Sequence, residues 1–136
     1  MAAVAALLGA LLGSQMQSAS TREAALIQVQ AQERKDGIER LGAASSRFLL
    51  ATDGIYNIAD LPRQAPPWAK AISTAEAADV DLFIYGTPEL YELGNQLMDI
   101  LLPDGGTATT GTVDLDQGAY DQAREAFVRE VRKEVR

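Results

Sequence analysis

The sequence predicts an all-α protein, and three observations lead there. Ala, Leu, Gln, Glu and Arg dominate while aromatics make up only 6% of the residues, a mix that favours helix. Apolar residues recur in steps of three and four along most of the chain. Prolines fall only at positions 62, 66, 67, 88 and 103, which divide the sequence into proline-free helical lengths. The expected architecture is an N-terminal membrane-type helix continuing into a long helix, packed with three shorter helices as an antiparallel bundle. Residues 1–21 form the apolar N-terminal segment, 22–36 a polar helical stalk, and 37–136 the bundle with a flexible loop at 103–113.

The first segment is set apart by charge, because no charged side chain precedes Arg22. Residues 2–13 are apolar throughout, and Ser14, Gln15, Gln17, Ser18, Ser20 and Thr21 extend the run with uncharged polar groups. As a helix, such a segment reaches roughly 31 Å, about one hydrocarbon thickness. Gly9 and Gly13 are spaced as a small-xxx-small pair and Ala5 adds one more turn, which makes these three the candidate helix–helix contacts. Three readings of the segment stand side by side. It is a membrane anchor, or a signal peptide with a small-residue site at Ser18-Ala19-Ser20 but no basic n-region, or a helix that packs against other chains. The anchor leads. With Arg22, Lys35 and further cations after the span and none before it, a single-pass topology places the body in the cytoplasm; the signal-peptide alternative makes the protein secreted.

From Thr21 to Ile58 a helix is expected, with Ile27, Ala31, Arg34, Ile38, Leu41, Ser45, Phe48, Thr52 and Ile55 along one heptad-like seam. The part before Gly37 is too polar to bury a broad face, and Arg34 interrupts a tight two-helix seam. Asp53-Gly54 is a place where this helix could stop. Pro67 suits a first helical position, so a second helix runs to about Phe83 with Trp68, Ile72, Ala75 and Leu82 inward. Leu82–Tyr85 has strand propensity but no partner strand.

Gly86-Thr87-Pro88-Glu89 reads as the end of one helix and the capped start of the next. That third helix carries Leu90, Leu93, Leu97 and Leu101 on one side and stops before Pro103. The last begins near Asp114 or Asp116, with Tyr120, Ala123, Phe127, Val131 and Val135 as its stripe. Its opposite positions alternate in charge and can form i,i+4 pairs.

Charge and composition exclude much. Net charge is −7, from 12 basic and 19 acidic groups, which argues against a nucleic-acid partner. The acidity belongs to the middle: between Asp53 and Asp116 two basic groups face eleven acidic ones, while 22–47 and the last twenty residues are each +1. A docking surface for a basic protein partner and a merely solvated face both fit that distribution. With no Cys and no His, thiolate chemistry, His-based acid–base catalysis and Cys/His zinc sites are out. Asp114-x-Asp116 with Glu125 departs from a calcium loop at its turn glycine and is better read as helix capping. Tyr56, Tyr85, Tyr91 and Tyr120 are expected to bury rings between helices. No catalytic residue, cofactor or metal is assigned, and the chain is not expected to be an enzyme.

The Ala/Gly/Leu segment, the stretch Gln32–Leu41 running into Arg47-Phe-Leu-Leu50, the stretch Val80–Glu89 before a Leu-rich helix, and Tyr120–Phe127 running on to Arg132 together resemble a family. It is the small, largely uncharacterised membrane-anchored helical proteins of actinobacteria and their phages. The resemblance implies a helical bundle on a membrane stalk and supplies no catalytic residues. The function expected is a membrane-tethered protein-interaction module, self-associating through its N-terminal helix. The alternative is a soluble or secreted structural subunit whose N-terminal helix packs against other chains.

Overall fold

The computed structural model describes residues 19–108 and 110–136, with side chains from Thr21 onward. Among the described residues there are four helices and no strand: α1 (Ala19–Asn57), α2 (Pro67–Tyr85), α3 (Pro88–Leu101) and α4 (Gln117–Glu134). The chain divides into two compact units at Ile38/Glu39, and α1 contributes residues to both.

In the first unit the described part of α1 is mostly solvated, with Leu26 and Ile27 61% and 63% exposed and Ala25 buried. The low apolar content expected of the polar stalk explains this, because Gln, Glu and Arg positions outnumber any continuous apolar stripe.

The second unit is built on the other half of the same seam. Leu41, Ser45, Phe48, Thr52 and Ile55 are all buried, joined by Ala44 and Ala51 one position away. Leu41, Phe48, Ala51 and Ile55 share one core with Trp68, Ala75 and Leu82 of α2, Leu90, Leu97 and Leu101 of α3, and Tyr120 and Phe127 of α4. Burying each of the larger side chains contributes about 1.5–3 kcal/mol. Two ring pairs lock α1 to α4: Phe48 stacks on Phe127 with centroids 5.3 Å apart, and Tyr56 on Tyr120 at 4.7 Å. At the other end of α4, Val135 is the nearest side chain to Gly42. Residue numbers therefore fall along α1 as they rise along α4. The helix passes through Asp53-Gly54 and stops at Asn57, so that dipeptide does not end it.

The breaks between helices follow from local chemistry. The α1–α2 connection is held by the Trp68 indole N–H, which donates to the Leu61 carbonyl at 3.0 Å. Pro67 takes the first position of α2. Gly86 closes that helix in an extended conformation (φ −84°, ψ 170°), its N–H on the Leu82 carbonyl. Glycine is needed there by close approach, since a Cβ would lie 2.5 Å from the Leu82 carbonyl oxygen. Thr87 caps α3 by accepting the Leu90 N–H at 3.2 Å, and Asp116 caps α4 by accepting the Ala119 N–H at 3.0 Å. α3 can settle against the core because it carries Gly94 where it crosses Leu82 and Phe48; a methyl there would come within 2.7 Å and 3.2 Å of those side chains.

Candidate functional site

Ala5, Gly9 and Gly13, the expected helix–helix contacts, lie outside the described residues, as do residues 1–18 of the apolar segment. Among the described residues no helix is long and apolar enough to cross a membrane. What the second unit displays are two polar clusters, an acidic surface and an apolar groove.

The first cluster joins α1 to α4. Asp53 receives Arg124 in a two-pronged contact, Nε to Oδ1 at 3.0 Å and Nη2 to Oδ2 at 2.8 Å. The Tyr120 hydroxyl adds a third bond to Oδ1 at 2.6 Å. The hydrogen bonds from Arg124, against some cost of burial, hold the Asp53 carboxyl below its ordinary value, with the Tyr120 hydroxyl helping. Burial, and then the bond to Asp53, raise the Tyr120 hydroxyl far above its usual range. The same carboxylate raises Arg124 further. Such a set stays ionised as a fixed pair and has no proton to exchange near neutrality; its work is to clamp two helices in register.

The second cluster ties Arg63 to Asp104, Ala108 and Gly111. Arg63 is buried, its guanidinium 4.4 Å over the Trp68 ring. Its backbone N–H donates to the Gly111 carbonyl at 2.7 Å and its Nε to the Ala108 carbonyl at 3.3 Å. Asp104 lies 3.9 Å from Arg63 Nη2. Within the loop Asp104 accepts the Gly106 N–H at 3.1 Å and the Ala108 N–H at 2.7 Å. Slight burial raises the Asp104 carboxyl, but those N–H groups and Arg63 outweigh it and bring it below the ordinary value. Gly105, Gly106 and Gly111 take positive φ angles of 69°, 81° and 79°, which the glycines of this segment permit.

The acidic surface is exposed as its charge requires: Asp60, Glu76, Glu89, Glu92 and Asp99 all face solvent. Asp79 differs, being partly buried; desolvation raises its carboxyl and the Tyr91 hydroxyl pulls the other way. Among the described residues no group of three or more acidic side chains is placed to hold a metal ion. Asp116, one of the acids weighed against a calcium loop, spends its carboxylate on the α4 cap.

The groove runs between α1 and α2, with a volume of about 640 Å³, lined by Arg47, Leu50, Ser73, Thr74, Ala77 and Asp81. An Arg47–Asp81 ion pair at 3.4 Å bridges it. Beside it α2 turns outward Val80, Phe83 and Ile84, exposed by 55%, 68% and 59%, and Leu50 of α1 is 70% exposed. The inward stripe of α2 is legible in the sequence, since Trp68, Ala75 and Leu82 are buried. Its outward apolar face is not, because a helix apolar on both sides gives no periodic sign of which side is covered. The Asp53–Arg124 pair, 71 residues apart, has no local signal either.

No family model matches the chain, and no curated protein or solved structure matches it.

Proposed function

We propose that the chain is a non-catalytic protein-interaction module, tethered to a membrane by residues 1–21 and presenting its helical body to a protein partner from the cytoplasmic side. The body in this reading is an antiparallel bundle; the falling register of Tyr56, Phe48 and Gly42 against Tyr120, Phe127 and Val135 supports it. The observation that carries the interaction reading is the combination of a net charge of −9 between Asp53 and Asp116 with acidic side chains that stand exposed on α2 and α3. Tethering draws on the charge-free run before Arg22 and the cations that follow it. The resemblance to membrane-anchored helical proteins of actinobacteria and their phages points the same way. In a membrane, Gly9 and Gly13 with Ala5 bring two copies together.

A second reading, a structural subunit whose N-terminal helix packs against other chains, is favoured by one observation. The exposed Val80, Phe83 and Ile84 are the kind of surface that assemblies cover.

Fractionation of tagged full-length protein separates the two. An anchored chain stays in the pellet through alkaline carbonate and is released by detergent; a chain found wholly in the soluble fraction overturns the tether. Replacing both Gly9 and Gly13 with Ile is expected to weaken self-association in the membrane, and unchanged association removes the small-residue contact.

A further inference from the structure

We infer that the outward face of α2, with Leu50 of α1, is a two-fold interface on which a second copy of this chain sits. The face is contiguous by helical spacing: Ser73, Ala77, Val80 and Ile84 follow one another in steps of three and four, and Leu50 closes the groove beside Ala77. On that face Val80 and Ile84 are 55% and 59% exposed and Leu50 is 70% exposed, apolar surface of the kind that marks an interaction site. A stable interface needs about 800 Å² per partner. The polar groove residues Ser73, Thr74, Arg47 and Asp81 border the apolar centre as a rim.

The occupant follows from charge. The molecule is strongly acidic, at −7 overall. Yet the groove is lined by one cation, Arg47, and one anion, Asp81. Lys70 and Glu76 on neighbouring turns of α2 again contribute one charge of each sign. A basic partner finds its complement on the acidic surface, where Glu89, Glu92 and Asp99 are exposed, and not on this neutral face. A surface bearing both signs around an apolar centre is self-complementary, which is what an isologous two-fold contact requires. Arg47 and Asp81 are joined by a single contact at 3.4 Å with side chains 59% and 34% exposed. Each is free to exchange its partner for the one on the facing copy. This contact is independent of residues 1–21, and it adds an assembly to whichever of the two functional readings holds.

The sequence contains no cysteine, so an introduced one reports proximity without background. Ala77→Cys, Val80→Cys and Ile84→Cys are made singly in the full chain, with Gln122→Cys on the exposed side of α4 as control, and oxidised in mild detergent. A disulfide forms only where two Cα atoms come within ~7 Å. At least one of the three is expected to give crosslinked dimer at about tenfold the control yield, as high effective concentration dictates. Adding Leu50→Glu should abolish that product, while Gly9→Ile with Gly13→Ile should leave it. Helical circular dichroism confirms that each variant is folded. Crosslinking no better than the control, or crosslinking that survives Leu50→Glu, overturns the interface. So does a product lost only with the glycine pair, which would assign self-association to the N-terminal segment. If the crosslink is absent and Leu50→Glu lowers flotation with phospholipid vesicles, the face belongs to lipid and the proposal fails.

Discussion

Gly94→Ala should destabilise the bundle although it replaces glycine with the best helix former. In an exposed helix interior the exchange gains about 1 kcal/mol. At Gly94 the added methyl would lie 2.7 Å from Leu82 Cδ2 and 3.2 Å from Phe48 Cζ, and both neighbours are fully buried. Phe48 is stacked on Phe127 and cannot withdraw without opening that contact. Leu82 lies one turn before the Gly86 cap, whose N–H it accepts, so its backbone is fixed as well. Overpacking of this kind costs about 1–3 kcal/mol, which exceeds or matches the propensity gain and leaves a net loss of about 1 kcal/mol. Gly54→Ala is the internal comparison, since a methyl there meets nothing within 4 Å and the residue lies inside α1. It should gain up to ~1 kcal/mol. Thermal and urea unfolding read both, at about 4–8 °C of Tm per kcal/mol for a unit of this size. If Gly94→Ala raises Tm as much as Gly54→Ala does, the close crossing of α3 over Phe48 and Leu82 is wrong.

Three further outcomes follow. Because the folded Asp53 carboxyl is held below its unfolded value, its contribution is present above about pH 4 and is lost as pH falls through the folded pKa. Arg124→Met should cost ~0.5–1 kcal/mol at neutral pH, discounted because both side chains remain over a third exposed. It should also flatten the acid limb of a stability-against-pH curve; an unaltered limb would mean the pair contributes nothing. Asp104→Ala should speed amide hydrogen exchange at Gly106 and Ala108, whose N–H groups it accepts, while leaving Leu90 unchanged, and equal protection in both chains contradicts the loop geometry. Thr87→Ala removes the α3 cap and should cost about 1 kcal/mol, measured by urea unfolding.

The elements that sequence anticipates best are those set by neighbours along the chain. Thr87 and Asp116 cap the helices that their positions predict, because a cap needs only a short polar side chain three residues before a free N–H. The seam from Leu41 to Ile55 is buried as its spacing requires, including the polar Ser45 and Thr52. Thr52 is tolerated because its hydroxyl donates back to the Leu49 carbonyl. The same seam upstream, at Ile27 and Ala31, is exposed, since periodicity states which residues share a face and not what lies opposite. Tyr56 and Tyr120 do bury rings against each other, whereas Tyr85 is 41% exposed. Asp53-Gly54, a stop signal by local rules, is carried through as helix while a distant arginine and tyrosine hold the aspartate. Tyr120 and Arg124 lie 67 and 71 residues from Asp53, and Ala108 lies 45 from Arg63, so no local pattern encodes those partners. The outward apolar face of α2 was hidden by composition, since alanine and valine serve equally well on a covered or an open side.

Trp68 is the single tryptophan of the chain, 1% exposed, with the Arg63 guanidinium over its ring. Its fluorescence is therefore a private reporter of the second unit. Blue-shifted emission in the folded state should move to longer wavelength and change in intensity when the indole leaves Arg63 and the Leu61 carbonyl. Residues 1–38 contain no tryptophan and stay dark in the same experiment. An optical titration on unaltered protein thus follows the melting of the body separately from whatever the apolar segment is doing, with no label to attach.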